Sequence, residues 1–313
     1  MTIGVDIGGT KVAAGVVDEH GTILATTHRD TPAGDVAQIE DAIAAVVAEL
    51  SCCYDVEAVG VGAAGFIDAC RSTVMFAPNL AWRDEPLQVS LQRRLGLLVV
   101  IENDANAAAW AEARFGAGRG AQHVVALTVG TGIGGGIVIN GQLLRGQFGA
   151  AAEIGHVTVV PDGRPCGCGL RGCWEQYASG RALLREARER LRGSSETAGE
   201  LVRLAGGRPE CLTGEMITQA ALAGDTAALR CFDVVGTWLG RGLGGLAAIL
   251  DPGVFVIGGG VSAAGELLRA PASAAFAASL TGHGHRPVAE LRIAQLGPEA
   301  GLVGAADLAR VAG

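Results

Sequence analysis

Aromatic side chains are scarce in this chain of 313 residues: it has 7 Phe, 2 Tyr and 4 Trp, against 49 Gly. Ala, Val, Leu and Gly must therefore build the core, and such small residues allow close backbone packing. A basic excess is also missing. The formal net charge is −8, which argues against a general nucleic-acid binder, because that needs a basic face. No uninterrupted apolar stretch is long enough to span a bilayer. Residues 1–6 have neither a charged n-region nor a long apolar h-region, so the sequence predicts no signal peptide. Low-complexity segments are absent. Eight cysteines could suggest disulfides, but Cys52, Cys53, Cys70, Cys211 and Cys231 are scattered through apolar or helical contexts. A reduced cytoplasmic protein fits better, with three thiols on a metal and five free.

Strands and helices alternate along the chain. Residues 2–6 read as a strand, 7–10 as a Gly turn and 11–17 as a second strand. The plan recurs with a strand over 124–129, a Gly-rich turn over 130–136 and a strand over 137–140. This weak internal duplication suggests two related lobes facing a cleft. Residues 35–50 have helical spacing, with Ile39, Ile43, Val46, Val47 and Leu50 on one face. Strands are expected over 58–63 and 97–101, then a helix from Asn103-Asp104 to about residue 115. A basic helix is expected over 177–192, an exposed connection over 193–214, a long helix over 225–250, and a strand over 254–257. A last strand over 291–296 and a last helix over 300–311 complete an α/β pattern.

Six residues near the middle carry the densest chemistry: Glu153, His156, Cys166, Cys168, Cys173 and Glu175. One imidazole and three thiols form the ligand set of a closed tetrahedral zinc site. With four protein ligands no position remains for an activated water, so the zinc is expected to be structural. Glu153 and Glu175 are not needed by the metal. The plain alternative is a zinc with no role in substrate binding.

Other motifs pair glycine with polar groups. Asp6-Ile-Gly-Gly-Thr-Lys11 joins a carboxylate to a turn whose N–H groups and Thr10 hydroxyl can hold phosphate oxygens. Asp6 could hold Mg²⁺. A plain β-hairpin turn explains the same residues about half the time. Gly130-Thr-Gly-Ile-Gly-Gly-Gly136 formally contains G-x-G-x-x-G, but a strand-like Ile137-Val-Ile139 follows where a dinucleotide fold needs a helix. A second phosphate turn on a hairpin fits better. Gly258, Gly259 and Gly260 form a third Gly-rich strand end, where a nucleotide could approach the backbone. Asn103-Asp104 sits between a strand and a helix. Asp104 is either a helix N-cap, the commoner use, or a base for a substrate hydroxyl at a strand end.

Taken together, these residues resemble the ROK family of bacterial sugar kinases. The matching motifs are Asp6-Ile-Gly-Gly-Thr-Lys11, Glu102-Asn-Asp-Ala-Asn-Ala-Ala-Ala109, Leu127-Thr-Val-Gly-Thr-Gly-Ile-Gly-Gly-Gly136, Glu153-Ile-Gly-His156, Cys166-Gly-Cys-Gly-Leu-Arg-Gly-Cys-Trp-Glu175 and Ile257-Gly-Gly-Gly260. Phe76-Ala-Pro-Asn-Leu-Ala-Trp-Arg-Asp-Glu-Pro-Leu87 looks like the actinobacterial ATP-dependent glucokinases in particular.

The resemblance implies an actin-like, ribonuclease-H-like two-lobed ATPase fold with a structural zinc site. It implies a small lobe over 1–115, a larger zinc-bearing lobe over 116–299, and a last helix, 300–313, returning to the first lobe. It places a sugar between the lobes, contacted by Gly65, Asn79, Asn103, Asp104, Glu153, His156 and Glu175. Asp104 becomes the catalytic base. His156 serves both zinc and sugar through its two ring nitrogens. ATP phosphates fall to Asp6 (through Mg²⁺), Gly8, Gly9, Thr10, Lys11, Thr131, Gly132, Gly134 and Gly135, with Gly258, Gly259 and Gly260 near the adenosine. Ala63-Ala64-Gly65 stands where many members have Ala-Pro-Gly. The missing Pro is expected to loosen sugar contacts without removing the reaction.

The implied activity is phosphorylation of D-glucose to glucose 6-phosphate by Mg-ATP, in a homodimer or homotetramer. Competing readings are a kinase for N-acetylmannosamine, fructose or mannose, a glucokinase using polyphosphate, and a sugar-sensing regulator without a DNA-binding domain. A repressor on this scaffold would need a helix-turn-helix before the first phosphate turn, which here begins at Asp6.

Overall fold

The computed structural model describes residues 1–193 and 199–312. They fall into two compact units. One comprises Met1–Ala126, Gly135–Ala152 and Gln295–Gly313; the other comprises Leu127–Gly134 and Glu153–Ala294. The boundary expected at 115/116 is thus displaced. Residues 116–126 and 135–152 go with the first unit, which is the larger of the two rather than the smaller. The C-terminal segment, Gln295–Gly313, belongs to the first unit.

The first unit is built on a five-stranded sheet of order β3-β2-β1-β4-β8. Its strands are β1 (Thr2–Ile7), β2 (Lys11–Val17), β3 (Ile23–Asp30), β4 (Ala58–Ala63) and β8 (Leu98–Asn103). β1 runs antiparallel to β2 and parallel to β4, and β4 runs parallel to β8. The central β4, AVGVGA, is buried throughout, whereas the edge strand β3 alternates half-buried with exposed residues. That contrast is expected of a strand covered on both faces against one with a solvated face. A separate three-stranded sheet joins β5 (Phe66–Ile67), β6 (Val74–Phe76) and β7 (Arg83–Glu85).

Helix α1 (Val36–Ser51) starts where Asp35 accepts the Gln38 N–H, and it buries the predicted stripe Ile39, Ile43, Val46, Val47 and Leu50. α2 (Leu87–Leu95) stops at Gly96 in the left-handed region. α3 (Asp104–Arg114) follows β8 directly. α10 (Ala300–Arg310) is buried along nearly its whole length. It lies so close to the sheet that a Cβ on Gly60 would overlap the Ala305 carbonyl. Two buried acids fasten this returning segment. Glu112 accepts the backbone N–H groups of Gln295 and Leu296 at 3.0 and 2.8 Å. Asp307 accepts Trp110 Nε1 at 2.8 Å and pairs with Arg114 and Arg310. Buried carboxylates without such partners would cost several kcal/mol.

A second five-stranded sheet has the order β11-β10-β9-β12-β13. Its strands are β9 (His123–Val129), β10 (Ile133–Ile139), β11 (Gln142–Leu143), β12 (Val254–Gly258) and β13 (Glu290–Ile293). The Gly turn expected over 130–136 is shorter, because Gly134, Gly135 and Gly136 already lie in β10. The helix expected over 177–192 is broken. α4 (Glu175–Ala178) ends at the extended Ser179, and α5 (Gly180–Gly193) begins there, with Ser179 Oγ accepting the Ala182 N–H. Residues 193–214 are not simply a connection. Residues 194–198 lie outside the described residues, but α6 (Gly199–Leu204) follows and is held by Asp225, which accepts the N–H groups of Glu200 and Leu201. Asp225 also caps α8 (Thr226–Leu250). α7 (Gly214–Leu222) and α9 (Glu266–Ser279) complete the second unit.

Candidate active site

In the first unit the parallel strands β1, β4 and β8 end together. Asp6 is in register with Gly62, Gly62 with Glu102, and Ala63 with Asn103. Asp6, Asn103 and Asp104 are therefore gathered at the carboxyl ends of adjacent strands, where α/β proteins place ligands. Asn103, not Asp104, caps α3: its side-chain oxygen accepts the Asn106 N–H at 3.0 Å. Its amide nitrogen donates to the Gly65 carbonyl at 3.1 Å. That bond fixes the loop at the position where proline is missing.

Relieved of capping the helix, the Asp104 carboxylate accepts the Ala105 N–H, at 2.9 Å, and its own backbone N–H. Burial raises its pKa, and the backbone hydrogen bonds only partly oppose this. Asp6 is raised to about 6, by burial first and then by the charge of Asp104. Neither carboxylate has an ion-pair partner among the described residues. Two nearby carboxyls without a cation are a fit for a divalent ion that reaches them directly or through water. A raised pKa also suits a base that must take a proton from a hydroxyl near neutral pH.

The Gly-Gly turn between β1 and β2 is closed by the Gly8 N–H donating to the Lys11 carbonyl at 3.0 Å, and Thr31 Oγ1 donates to the Gly8 carbonyl at 2.8 Å. Gly9, Thr10 and Lys11 are exposed. Asn79, also exposed, lies beside Gly9, within 3.4 Å of where a Cβ there would sit. Its loop is clasped by Arg83, whose guanidinium donates to the carbonyls of Ala77, Leu80 and Trp82 at 2.8, 3.0 and 2.5 Å and lies 4.3 Å from the centre of the Phe76 ring.

The candidate metal ligands lie in the second unit. The ligand atoms of His156, Cys166, Cys168 and Cys173 all fall within 4.8 Å of one another. Cys168 Sγ is 3.6 Å from Cys173 Sγ, and Cys166 Sγ is 3.6 Å from His156 Nδ1. Tetrahedral Zn–S bonds of about 2.3 Å give S···S edges of about 3.8 Å, so the set has the dimensions of a zinc site. Burial, reinforced by the Glu175 carboxylate, pushes the Cys166 thiol up to about 12, and Cys173 is raised as well. Crowded thiols and a carboxylate are the environment that a divalent cation relieves. His156 turns Nδ1 to the thiols, which leaves Nε2 for another partner.

Glu175 ties this cluster to the second Gly turn, at Gly132. One carboxylate oxygen accepts from Cys166 Sγ at 3.0 Å. The other lies against Gly132, where any Cβ would overlap it. Glu153 is exposed and accepts the His156 N–H through its carbonyl at 3.1 Å. Trp174 is a core anchor rather than a pocket wall. It is buried, and its Nε1 donates to the Trp238 carbonyl at 2.8 Å.

The second unit also holds a cavity of about 970 Å³. Thr131 and Gly260 line it, as do Arg181, Glu215, Gln219 and Leu222 from α5 and α7. Its volume is at the upper end of ligand pockets, about 300–1,000 Å³, and accommodates a nucleotide. The other predicted nucleotide residues do not line it. Gly258 is buried at the end of β12, Gly259 is exposed with φ +82°, and Gly134 and Gly135 are strand residues.

Several residues escaped the sequence reading. The cavity walls from α5 and α7 are spread over a stretch without a motif. Glu102 was visible as the residue before Asn103-Asp104, but its role was not. It is buried, and accepts the Asn103 N–H and Asn106 Nδ2 at 3.1 Å each and Arg145 Nε at 2.7 Å. Arg145 carries no sequence signal, and Arg83 lies in the Phe76–Leu87 run without a role of its own.

A model described as the ROK family matches residues 2–312. The chain is 52% identical over 310 residues to a glucokinase of Streptomyces coelicolor, with 99% of this chain and 98% of that one covered. Among solved structures, a ROK family glucokinase from Streptomyces griseus in complex with glucose and AMPPNP is similar with TM-score 0.89 and 55% identity, covering 99% of each chain. A ROK hexokinase from Thermus thermophilus is similar with TM-score 0.82 and 37% identity, covering 99% of this chain and 98% of that one.

Proposed function

The chain belongs to the ROK family, and on that premise we propose that it is a glucokinase, which transfers the γ-phosphoryl group of ATP to the 6-hydroxyl of D-glucose. The observation that carries the reading is the pair of half-buried carboxyls, Asp6 and Asp104, at the ends of parallel strands, with raised pKa values and no ion-pair partner among the described residues. Similarity to glucokinases across nearly the whole chain supports glucose as acceptor and ATP as donor.

Phosphoryl transfer asks little covalent chemistry of the protein. Asp104 accepts the proton of the attacking hydroxyl as the oxygen bonds to phosphorus and ADP departs. Asn103 and Asn79 hold neighbouring hydroxyls, and the Gly65 backbone is kept in place by Asn103. Glu153, Glu175 and His156 Nε2 are acceptors for further hydroxyls, a composition suited to a neutral polyol. The backbone and hydroxyls of Gly8, Gly9, Thr10, Thr131 and Gly132 receive phosphate oxygens, and Lys11 adds charge. The 970 Å³ cavity takes the nucleoside. Mg²⁺ reached through Asp6 neutralises phosphate charge when bound. His156, Cys166, Cys168 and Cys173 would hold a zinc ion, which would brace the segment leading into α4 and Glu175.

Two measurements test this. ADP release over a panel of hexoses should give glucose the highest kcat/KM, with ATP and not polyphosphate as donor. Asp104→Asn should lose turnover by about 10²–10⁴-fold and still bind glucose by calorimetry. A better hexose than glucose would remove the specificity, and near wild-type kcat in the variant would remove the base. Similarity to a ROK hexokinase favours, as a second reading, the acceptance of several hexoses.

A further inference from the structure

A smaller cavity in the first unit has no place in the reaction above. It measures about 240 Å³ and is lined by Arg71, Trp110, Gln142, Leu143, Arg145 and Leu308, among others. Arg71 and Arg145 both line it, close enough for the charge of one to act on the other. The Arg71 guanidinium has no hydrogen-bond or ion-pair acceptor among the described residues. Among the described residues Arg145 spends only Nε, on Glu102. Burial and the charge of Arg145 both lower the Arg71 pKa, with Glu102 alone opposing. The nearby Asp307 is already committed to Arg114 and Arg310. Two cations against one available carboxylate leave an excess positive charge.

Arg71 is also held at φ +58°, a conformation that a bulky side chain rarely adopts. The turn would form more readily with Gly or Asn, so the backbone is strained where the guanidinium is presented. The cavity is below the size range of pockets for larger organic ligands, about 300–1,000 Å³. Its unspent donors match the oxygens of a phosphoryl group, which arginine forks bind in a bidentate manner.

The geometry points to a binding site for a small phosphoryl anion between Arg71 and Arg145, separate from the nucleotide cavity. Occupancy reaches the proposed active site through shared groups. Arg145 is the cation held by Glu102, and Glu102 also holds the Asn103 N–H and Asn106 Nδ2. An anion that draws Arg145 away weakens the grip of Glu102 on the junction that orients Asp104, and turnover falls.

The test begins with calorimetry on the full chain, with glucose and a non-hydrolysable ATP analogue filling the active site. Inorganic phosphate is titrated in one arm and glucose 6-phosphate in the other, so the tighter ligand identifies free phosphate or a sugar ester as the source. Wild type should show one saturable site. Binding should weaken at least tenfold in Arg71→Gly and in Gln142→Glu, which places a carboxylate at the cavity. Arg71→Gly removes the strain at positive φ and should keep or raise Tm. Equal affinity in wild type and both variants, or no saturation, overturns the site. In turnover assays, phosphate should inhibit wild type and spare Arg71→Gly. Equal inhibition overturns the coupling. This second readout rests on the kinase reading and the calorimetry does not, so the two failures are distinguishable.

Discussion

Replacing Asp6 by Asn should make the ligand-free protein more stable and the enzyme inactive. Burial, and then the charge of Asp104, hold the Asp6 carboxyl at about 6 in the folded chain, against 3.8 as its ordinary value. The native state therefore holds this proton more tightly than the unfolded chain does. The stability it contributes is complete below pH 3.8 and is lost as pH rises through about 6. A gap of about two pKa units corresponds to about 3 kcal/mol at 1.36 kcal/mol per unit. Asn is neutral, nearly isosteric and does not titrate. Denaturant unfolding without magnesium should show wild type and Asp6→Asn close together near pH 4. The variant should pull ahead between pH 4 and 6 and level off about 3 kcal/mol more stable above pH 7. Contributions common to both proteins cancel in the difference. Mg-ATP should narrow the gap, because ligand binding stabilises the wild type more. A difference that is flat with pH, or a wild type more stable than the variant at pH 8, would refute the assigned burial and charge repulsion.

Other perturbations test separate parts of the molecule. Gly60→Ala sets a methyl into the Ala305 carbonyl, so α10 must shift, and thermal unfolding should register a loss of about 1–3 kcal/mol or more. Cys168→Ser should abolish zinc, read by metal analysis of purified protein, and raise the KM for glucose through Glu175; zinc loss with unchanged KM would separate the metal from the sugar. Arg83→Met removes three hydrogen bonds to the carbonyls around Asn79. Losing about 1.4 kcal/mol of sugar binding there raises KM about tenfold, with kcat less affected; an unchanged KM would show that the clasp does not position Asn79.

Much of the fold was legible because its signals are local. The stripe on α1, the continuous apolar run of β4 and the Gly-Gly turn after Asp6 each lie within one element, and each formed as read. The failures are equally specific. Gly134, Gly135 and Gly136 read as turn but extend β10, because pairing within a sheet overrides a weak local preference. The break at Ser179 depends on its hydroxyl capping α5, and nothing in the surrounding apolar pattern announces it. For Asp104 the sequence left two readings, the N-cap of α3 or a base. Asn103 took that position because its backbone is extended there and its side chain reaches Asn106.

The sequence by itself determined the family, and it singled out His156, Cys166, Cys168 and Cys173 and the Gly turns, because metal coordination and phosphate binding demand particular residue types at short spacings. Tertiary structure decided the rest. The charge state of Asp6 depends on burial and on Asp104, which lies 98 positions away in the chain. The clasp of Arg83, the hold of Glu102 on Arg145 and the walls of both cavities likewise join distant residues. Desolvation and Coulomb interaction act through space, so sequence separation says nothing about them until the chain has folded.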